Sequence, residues 1–319
     1  MELVTVICLC YNHAKYIEEA IDSVYQQDYT NIELIVVNDA STDDSSQVIY
    51  QLQKKYPSFI FINTIENKGM CKSFNSALSI AKGEFIIDLA ADDCFTKDRV
   101  STQVNEFKKL DARYGVVFSD AYIVDEVKNI KNTFYKRSQD GKLIENVAQG
   151  DVFETVLHSY KICSPTIMVR KSVFIELGGY DESLSYEDYD FFIRSSRKYN
   201  YHFIDKPLIY KREVDASLSK AFYKKKNNHH LESTLVVSKK ALWLCEKESE
   251  KFALLHSVRY HYRQSYFLDN FKLALNYYEL IREMGYGSIR DEVMSYLSEK
   301  KLSVYWLFSL YNRFRKCIA

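Results

Sequence analysis

Apolar and polar positions alternate in blocks along the N-terminal two-thirds of the chain, and the blocks sort into strands and helices. Residues 3–9 (LVTVICL), 31–37 (NIELIVV), 59–63 and 85–89 are short runs rich in β-branched or aromatic side chains, as expected of strands closed by polar turns. Between them, apolar residues recur at helical spacing: Ile17, Ala20, Ile21 and Val24, then Ile49 and Leu52, then Phe74, Leu78 and Ala81. Strand and helix in turn at this spacing predict a mostly parallel sheet flanked by helices. The ligand site of such a sheet lies beyond the carboxyl ends of its strands. Tyr11, Asp39 and the pair Asp92-Asp93 all fall at such ends.

Further along, the pattern predicts a helix over 97–110, a strand at 115–119, and a polar stretch over 120–149 with short strands at 121–125 and 132–136. A strand at 166–169, a helix at 171–177, a Gly178-Gly179 turn, an acidic helix start between Tyr186 and Arg194, and strands at 201–204 and 208–211 follow. From about Ser219 strand signals thin out. Helical runs at 219–246, 250–269, 270–284, 288–299 and 302–316 predict an all-helical domain, so the expected division is 1–218 and 219–319.

Composition narrows the partners. With 47% apolar residues the chain can build a large core, and Lys plus Arg equal Asp plus Glu at 43 each, so no bulk charge draws it to nucleic acid. Seven scattered cysteines, never spaced as CxxC, argue against a disulfide framework or a structural zinc site and suit a reducing cytoplasm. No signal-peptide pattern and no apolar run of membrane-spanning length occur, so membrane association is expected to be peripheral. With three prolines and 26 tyrosines, few long loops and much tyrosine packing at half-wet surfaces are expected. The stretch 300–316 (KKLSVYWLFSLYNRFRK) sets aromatics between basic ends, which suits an anionic membrane surface, packing inside the helical domain, or a homo-oligomer contact.

Several polar groups carry two readings each. Asp92-Asp93 suits a divalent metal on a diphosphate, or the cap of a following helix. Glu187, Asp188 and Asp190 suit a general base beside a like charge that favours protonation of one of the pair, or an acidic first turn favoured by the helix dipole. Tyr11 is a platform for a base or a packed aromatic. Asp39 is a ligand group or a turn former, Asp43-Asp44 belong to turn chemistry, and His13 is a local cap or surface group.

Read together, residues 3 to about 212 resemble the family 2 glycosyltransferases, which have the GT-A fold. The similarity runs through VTVICLCYNHAKYIEEAIDSVYQQDYTNIELIVVNDASTDDS, NKGMCKSFNSALSIAKGEFIIDLAADD and GGYDESLSYEDYDFFIRSSRKY, in that order. The resemblance implies a nucleotide-sugar part over about 1–120 and an acceptor side over about 121–218. It implies a main-chain contact to the base at Leu9, Tyr11 against a uracil ring, Asp39 accepting the uracil N3 proton, and Asn12 and Lys72 supporting ribose or phosphate. Asp92 would hold the ribose or a metal-bound water, Asp93 the metal (Mn²⁺ or Mg²⁺), Asp188 would be the general base and Glu187 would lie on the acceptor side. Leu9 stands where the family has proline, Ala90 where many members have an acid, and no histidine follows Arg212. The activity implied is inverting, metal-dependent transfer of a hexosyl or N-acetylhexosaminyl group from a UDP-sugar to a glycan or lipid-linked glycan, at the inner face of a bacterial membrane, in capsule, lipopolysaccharide or exopolysaccharide synthesis. The alternatives are a non-catalytic nucleotide-sugar-binding or scaffold protein, and a nucleotidyltransferase. The last would carry a Gly-rich basic loop after the first strand, which this chain lacks.

Overall fold

The computed structural model describes residues 1–159, 161–214 and 229–306. They divide into two compact units, one of residues 1–152 and 161–214, the other of 153–159 and the helices from residue 229 onward.

The first unit is built on one sheet. Strands β1 (Val4–Cys10), β2 (Ile32–Asn38), β3 (Ile60–Asn63) and β4 (Phe85–Ala90) alternate with helices α1 (Ile17–Tyr25), α2 (Ser45–Lys55) and α3 (Met70–Leu78). They lie in the order β3-β2-β1-β4, all parallel, as their spacing predicts. Val6, Ile7, Val36, Ile87 and Leu89 are wholly buried in this half, so its strands read as near-continuous apolar runs.

Beyond β4 the sheet becomes mixed. After β5 (Cys94–Phe95) and α4 (Arg99–Phe107) come β6 (Tyr114–Val124), β7 (Ile130–Thr133), β8 (Met168–Arg170), α6 (Lys171–Leu177), α7 (Asp188–Ser196) and β9 (Asn200–Arg212). Strand β8 enters antiparallel between β4 and β6, and β9 runs parallel to β6 with β5 antiparallel at its end. The fully buried Arg99 holds this crossing point by donating to the carbonyls of Pro165 and Ile167, and Gln103 donates to the carbonyl of Thr166. Strands β6 and β9 are each a single long strand where two short ones are expected. The polar residues that read as breaks sit at register shifts around Ser119, Asp120 and Pro207, and the buried Asp120 carboxylate accepts from the backbone of Ala121 and Tyr135 and from Arg137.

The second unit contains α5 (Phe153–His158), α8 (His229–Leu244), α9 (Glu248–Phe267), α10 (Phe271–Glu283) and α11 (Ile289–Glu299). The expected boundary at 218 has no place for α5, a six-residue helix in a polar stretch that buries Phe153, Val156 and Leu157 and packs with α9, where His158 stacks on His256. Buried tyrosines tie the helices by their hydroxyls: Tyr262 donates to the carbonyl of Asp291 and Tyr277 to that of Leu231. These rings are fully buried, where half-wet packing is expected. Arg259 pairs with Asp291 at 2.7 Å, and Asp291 forms a capping box with Ser288 at the start of α11. Among the described residues no helix is long and apolar enough to cross a membrane. The start of the helix expected at 219–246, and all but the first residues of the stretch 300–316 with its expected membrane or oligomer contact, lie outside the described residues.

His261 of α9 stacks against Tyr277, its Nδ1 is buried with no hydrogen-bond partner, and burial pushes its pKa down to about 4. The unfolded chain takes up a proton near pH 6.5 that the folded chain refuses until about pH 4, so this site loses stability as pH falls through that window. The expected loss is of the order of 2 kcal/mol. Urea unfolding followed by helical circular dichroism at pH 7 and pH 5 checks it, since His261→Gln should flatten the difference between the two.

Candidate active site

The carboxyl ends of β2, β1 and β4 lie side by side, stitched by backbone bonds. Asp39 N–H donates to the carbonyl of Cys10 (2.9 Å) and Ala91 N–H to that of Leu9 (3.0 Å), so Leu9 spends part of its main-chain capacity inside the sheet. Tyr11 follows directly and is 46% exposed at the strand end. Asn12 takes a left-handed conformation (φ 58°), which asparagine tolerates. Its N–H donates to Ser41 Oγ, and its side-chain oxygen accepts from Thr42 N–H at 2.7 Å. That oxygen therefore serves the loop.

Asp39 is buried. Its two oxygens accept from the backbone N–H groups of Lys68 and Gly69, both at 2.9 Å, and Oδ1 also from Thr64 Oγ1 at 3.4 Å, which fixes the turn into α3 and still leaves Oδ2 a lone pair. Lys72, two residues into α3, is exposed and has no ion-pair partner among the described residues.

After β4 the chain turns through Asp92 and Asp93. Asp93 N–H donates to the carbonyl of Ala90, and the Asp93 side chain is buried with Oδ1 accepting from Arg212 N–H at 2.8 Å. Burial, and then the neighbouring Asp92, push the Asp93 carboxyl up to about 7. Asp92 is less enclosed and lies 4.0 Å from His13 Nδ1. Arg212 holds this turn from behind. Its side chain is 2% exposed, Nε donates to the carbonyl of Asp92 (2.9 Å), Nη1 to that of Glu126 (2.7 Å), Nη2 pairs with Glu19, and the guanidinium lies over the Tyr16 ring. Arg212 thus faces inward, into a network joining α1, the Asp92-Asp93 turn and the 125–126 loop.

Among the described residues no group of three or more His, Cys, Asp or Glu side chains is arranged to hold a metal. Adjacent Asp92 and Asp93, one of them buried without a cationic side chain in hydrogen-bond contact, nevertheless fit a hard divalent ion. Such ions take one or two protein carboxylates and complete their shell with water and substrate phosphates.

The acceptor-side candidates open α7. Asp188 is its first residue and accepts from Tyr189 N–H. Glu187 precedes it, Glu187 Oε2 is buried with no hydrogen-bond partner, and burial followed by Asp188 and Asp88 drive this carboxyl well above its ordinary range. Asp190 belongs elsewhere. It is buried against Arg194 (2.7 Å), which also donates to the carbonyls of Leu177 and Gly179 and so clamps the turn before α7. That turn has no room for a side chain at Gly179 (φ 77°), where a Cβ would fall 2.4 Å from Asn75 Oδ1.

Two residues of this region, Asp88 and Tyr180, carry no expectation from sequence, and Arg212 carries none for the role it takes. Asp88 sits inside the β4 run and is pushed up to about 7, chiefly by burial. Tyr180 donates its hydroxyl to Asp88 Oδ2 at 3.3 Å, and Arg212 has the latch role just described. The period of two that puts Asp88, Ala90 and Asp92 on one face of β4 is the signal that could have flagged Asp88.

A mixed sheet flanked by helices, with polar groups at its strand ends, acids after the fourth strand and a second acidic pair opening a later helix, is the architecture of the GT-A class. The family described as Glycosyl transferase family 2 matches residues 5–178, and the chain belongs to that family. An uncharacterized glycosyltransferase of Rickettsia typhi is 32% identical over 216 residues, covering 67% of this chain and 65% of that protein. Glycosyltransferase GlyG of Streptococcus pneumoniae is 28% identical over 182 residues, covering 55% and 59%. The chain thus spans less than two-thirds of the length of these relatives. Among solved structures, S. aureus TarS 1-349 in complex with UDP-GlcNAc superposes with TM-score 0.68 at 18% identity, covering 94% of this chain and 88% of that one. The mannosyltransferase PcManGT of Pyrobaculum calidifontis, in complex with GDP-Man and Mn²⁺, does so with TM-score 0.60 at 19% identity, covering 99% and 82%. Both share the fold.

Proposed function

We propose that this protein is an inverting glycosyltransferase that moves a sugar from a UDP-sugar to a hydroxyl of a glycan or lipid-linked glycan acceptor in bacterial surface-polysaccharide assembly. The observation that carries the reading is the row of groups at the strand ends, in a chain of this family: Tyr11 and Asp39, then Asp92-Asp93, with Glu187-Asp188 opening α7. Tyr11 offers a flat exposed ring to a base, and Asp39 a fixed carboxylate with a lone pair for the N3 proton of uracil. The UDP-GlcNAc held by TarS supports this choice of nucleotide.

Asp92 and Asp93 would hold a divalent cation, which when bound supplies positive charge to the departing diphosphate. The remaining work falls to the chain's own groups. Asp188 takes the proton of the acceptor hydroxyl as the acceptor oxygen forms its bond to the anomeric carbon. The bond from that carbon to the diphosphate oxygen breaks on the opposite side, and its electron pair leaves with UDP. Burial and then the adjacent Asp188 and Asp88 disfavour the charged form of Glu187, which leaves the role of base to Asp188. The Arg212 latch keeps the Asp92-Asp93 turn in one position while the substrate binds.

Thermal shift with a panel of UDP-, GDP- and dTDP-sugars in the presence of Mn²⁺ tests the assignment. A ligand at 100 times its Kd adds about 2.7 kcal/mol to stability, so a UDP-sugar should raise the midpoint by several degrees. Stabilisation by GDP-sugars alone would reject the uracil reading of Tyr11 and Asp39.

A further inference from the structure

The second half of β4 alternates, with Ile87 and Leu89 wholly buried and Asp88 and Ala90 partly open on the other face, after a first half that is buried throughout. An acid in the middle of such a strand needs a reason. On one side Asp88 is paired in register with Ile7 of β1, whereas on the other β8 reaches only Phe85 and Ile86. The Tyr180 hydroxyl donates to Asp88 Oδ2, and no other hydrogen bond to this carboxyl exists among the described residues. No cationic side chain forms an ion pair with it among the described residues, and the buried Arg99, whose Nε and Nη2 serve Gln103, Pro165 and Ile167, acts on it only through its charge.

Tyr180 is itself rigidly mounted. Its ring is buried against Phe74, Phe174 and Phe191, and Asn75 brackets its backbone by donating to its carbonyl (2.8 Å) and accepting from its N–H (2.9 Å). A bond held this firmly orients the Asp88 carboxyl and leaves Oδ1 unspent. Glu187 Oε2 is buried with no hydrogen-bond partner, and Asp88 is close enough to push the Glu187 carboxyl up. The unspent Asp88 Oδ1 can take a further donor.

Position identifies the donor. Asp88 is four residues before the Asp92-Asp93 turn on the same strand, and it interacts electrostatically with Asp188. On the reading above, on which this inference rests, the diphosphate lies at the first of these and the acceptor hydroxyl at the second. In-line displacement puts the transferred sugar between them. Ala90, next on the same face, leaves room, and a carboxyl suits hydroxyl donors while it repels phosphate. We infer that Asp88, oriented by Tyr180, is a specificity-determining residue that accepts a hydrogen bond from a hydroxyl of the transferred hexose.

The test compares the Kd of UDP with that of the UDP-sugar giving the largest thermal shift, by titration calorimetry with Mn²⁺, for the parent chain, Asp88→Asn, Asp88→Ala and Tyr180→Phe. Asn keeps an acceptor for Tyr180, so Asp88→Asn preserves the local packing. Expected are an unchanged Kd for UDP in all variants and a UDP-sugar Kd weakened about tenfold or more in Asp88→Ala, less in Asp88→Asn and Tyr180→Phe. Equal weakening of UDP and UDP-sugar would make Asp88 a structural residue and overturn the inference. So would parent-like affinity for both ligands in the Asp88 variants, or a parent chain that gains no affinity from the sugar. A parent that binds neither UDP nor any UDP-sugar would instead remove the nucleotide-sugar reading itself.

Discussion

Asp188→Asn should lower turnover of a UDP-sugar by about 10²–10⁴-fold while leaving the stabilisation by UDP intact. The amide keeps the size of the carboxylate and can still accept from Tyr189 N–H, so the start of α7 should survive. What it cannot do is take a proton. The neighbouring acid is a poor substitute, because burial, which persists in the variant, disfavours the charged form of Glu187. A fall in turnover accompanied by loss of UDP stabilisation would point to a disturbed fold instead, and the paired thermal-shift measurement separates the two.

Arg212→Ala should cost about 3 kcal/mol of stability, read as a lower urea midpoint at unchanged slope. The guanidinium is almost fully enclosed and satisfies the carbonyls of Asp92 and Glu126 while pairing with Glu19. Its removal takes one donor from each of those carbonyls and leaves the space of the enclosed guanidinium unfilled. Glu19 keeps Lys128 as a partner at 2.6 Å and is partly exposed, which holds the loss at the lower end of the range for broken buried pairs. Arg212→Lys should recover little, since one ammonium cannot reach three separated acceptors in the plane that a guanidinium spans.

Where one physical rule governs an element, it is legible in the sequence. The strands β1, β2 and β4 are largely buried and β3 is a short apolar edge strand, so apolar runs mark them, and polar turns close them. The long strands β6 and β9 escape that rule because Ser119, Asp120 and Pro207 look like breaks, whereas bulges and the Asp120–Arg137 pair absorb them. The antiparallel entry of β8 depends on Arg99 reaching carbonyls about 66 residues away in sequence, a contact that no local pattern encodes. Helix α5 is too short for a helical period to show. In the candidate site, Tyr11, Asp39, Asp92, Asp93, Glu187 and Asp188 stand out in the sequence because each lies where a strand ends or a helix begins. Asp88 and Tyr180 were not, since one sits within an apolar run and the other looks like another packed aromatic. Arg212 carried a motif but no direction, and only the three-dimensional structure shows it turned toward the interior.

The central claim is that the strand-end groups make a catalyst and not only a binding site. The most direct measurement is release of UDP from the best-bound UDP-sugar by the full chain with Mn²⁺, compared with Asp188→Asn under the same conditions. Slow release by the parent, stimulated by Mn²⁺ and strongly reduced in the variant, is the predicted result. A parent chain that binds the UDP-sugar tightly yet releases UDP no faster than Asp188→Asn would contradict the account and leave a nucleotide-sugar-binding protein in its place.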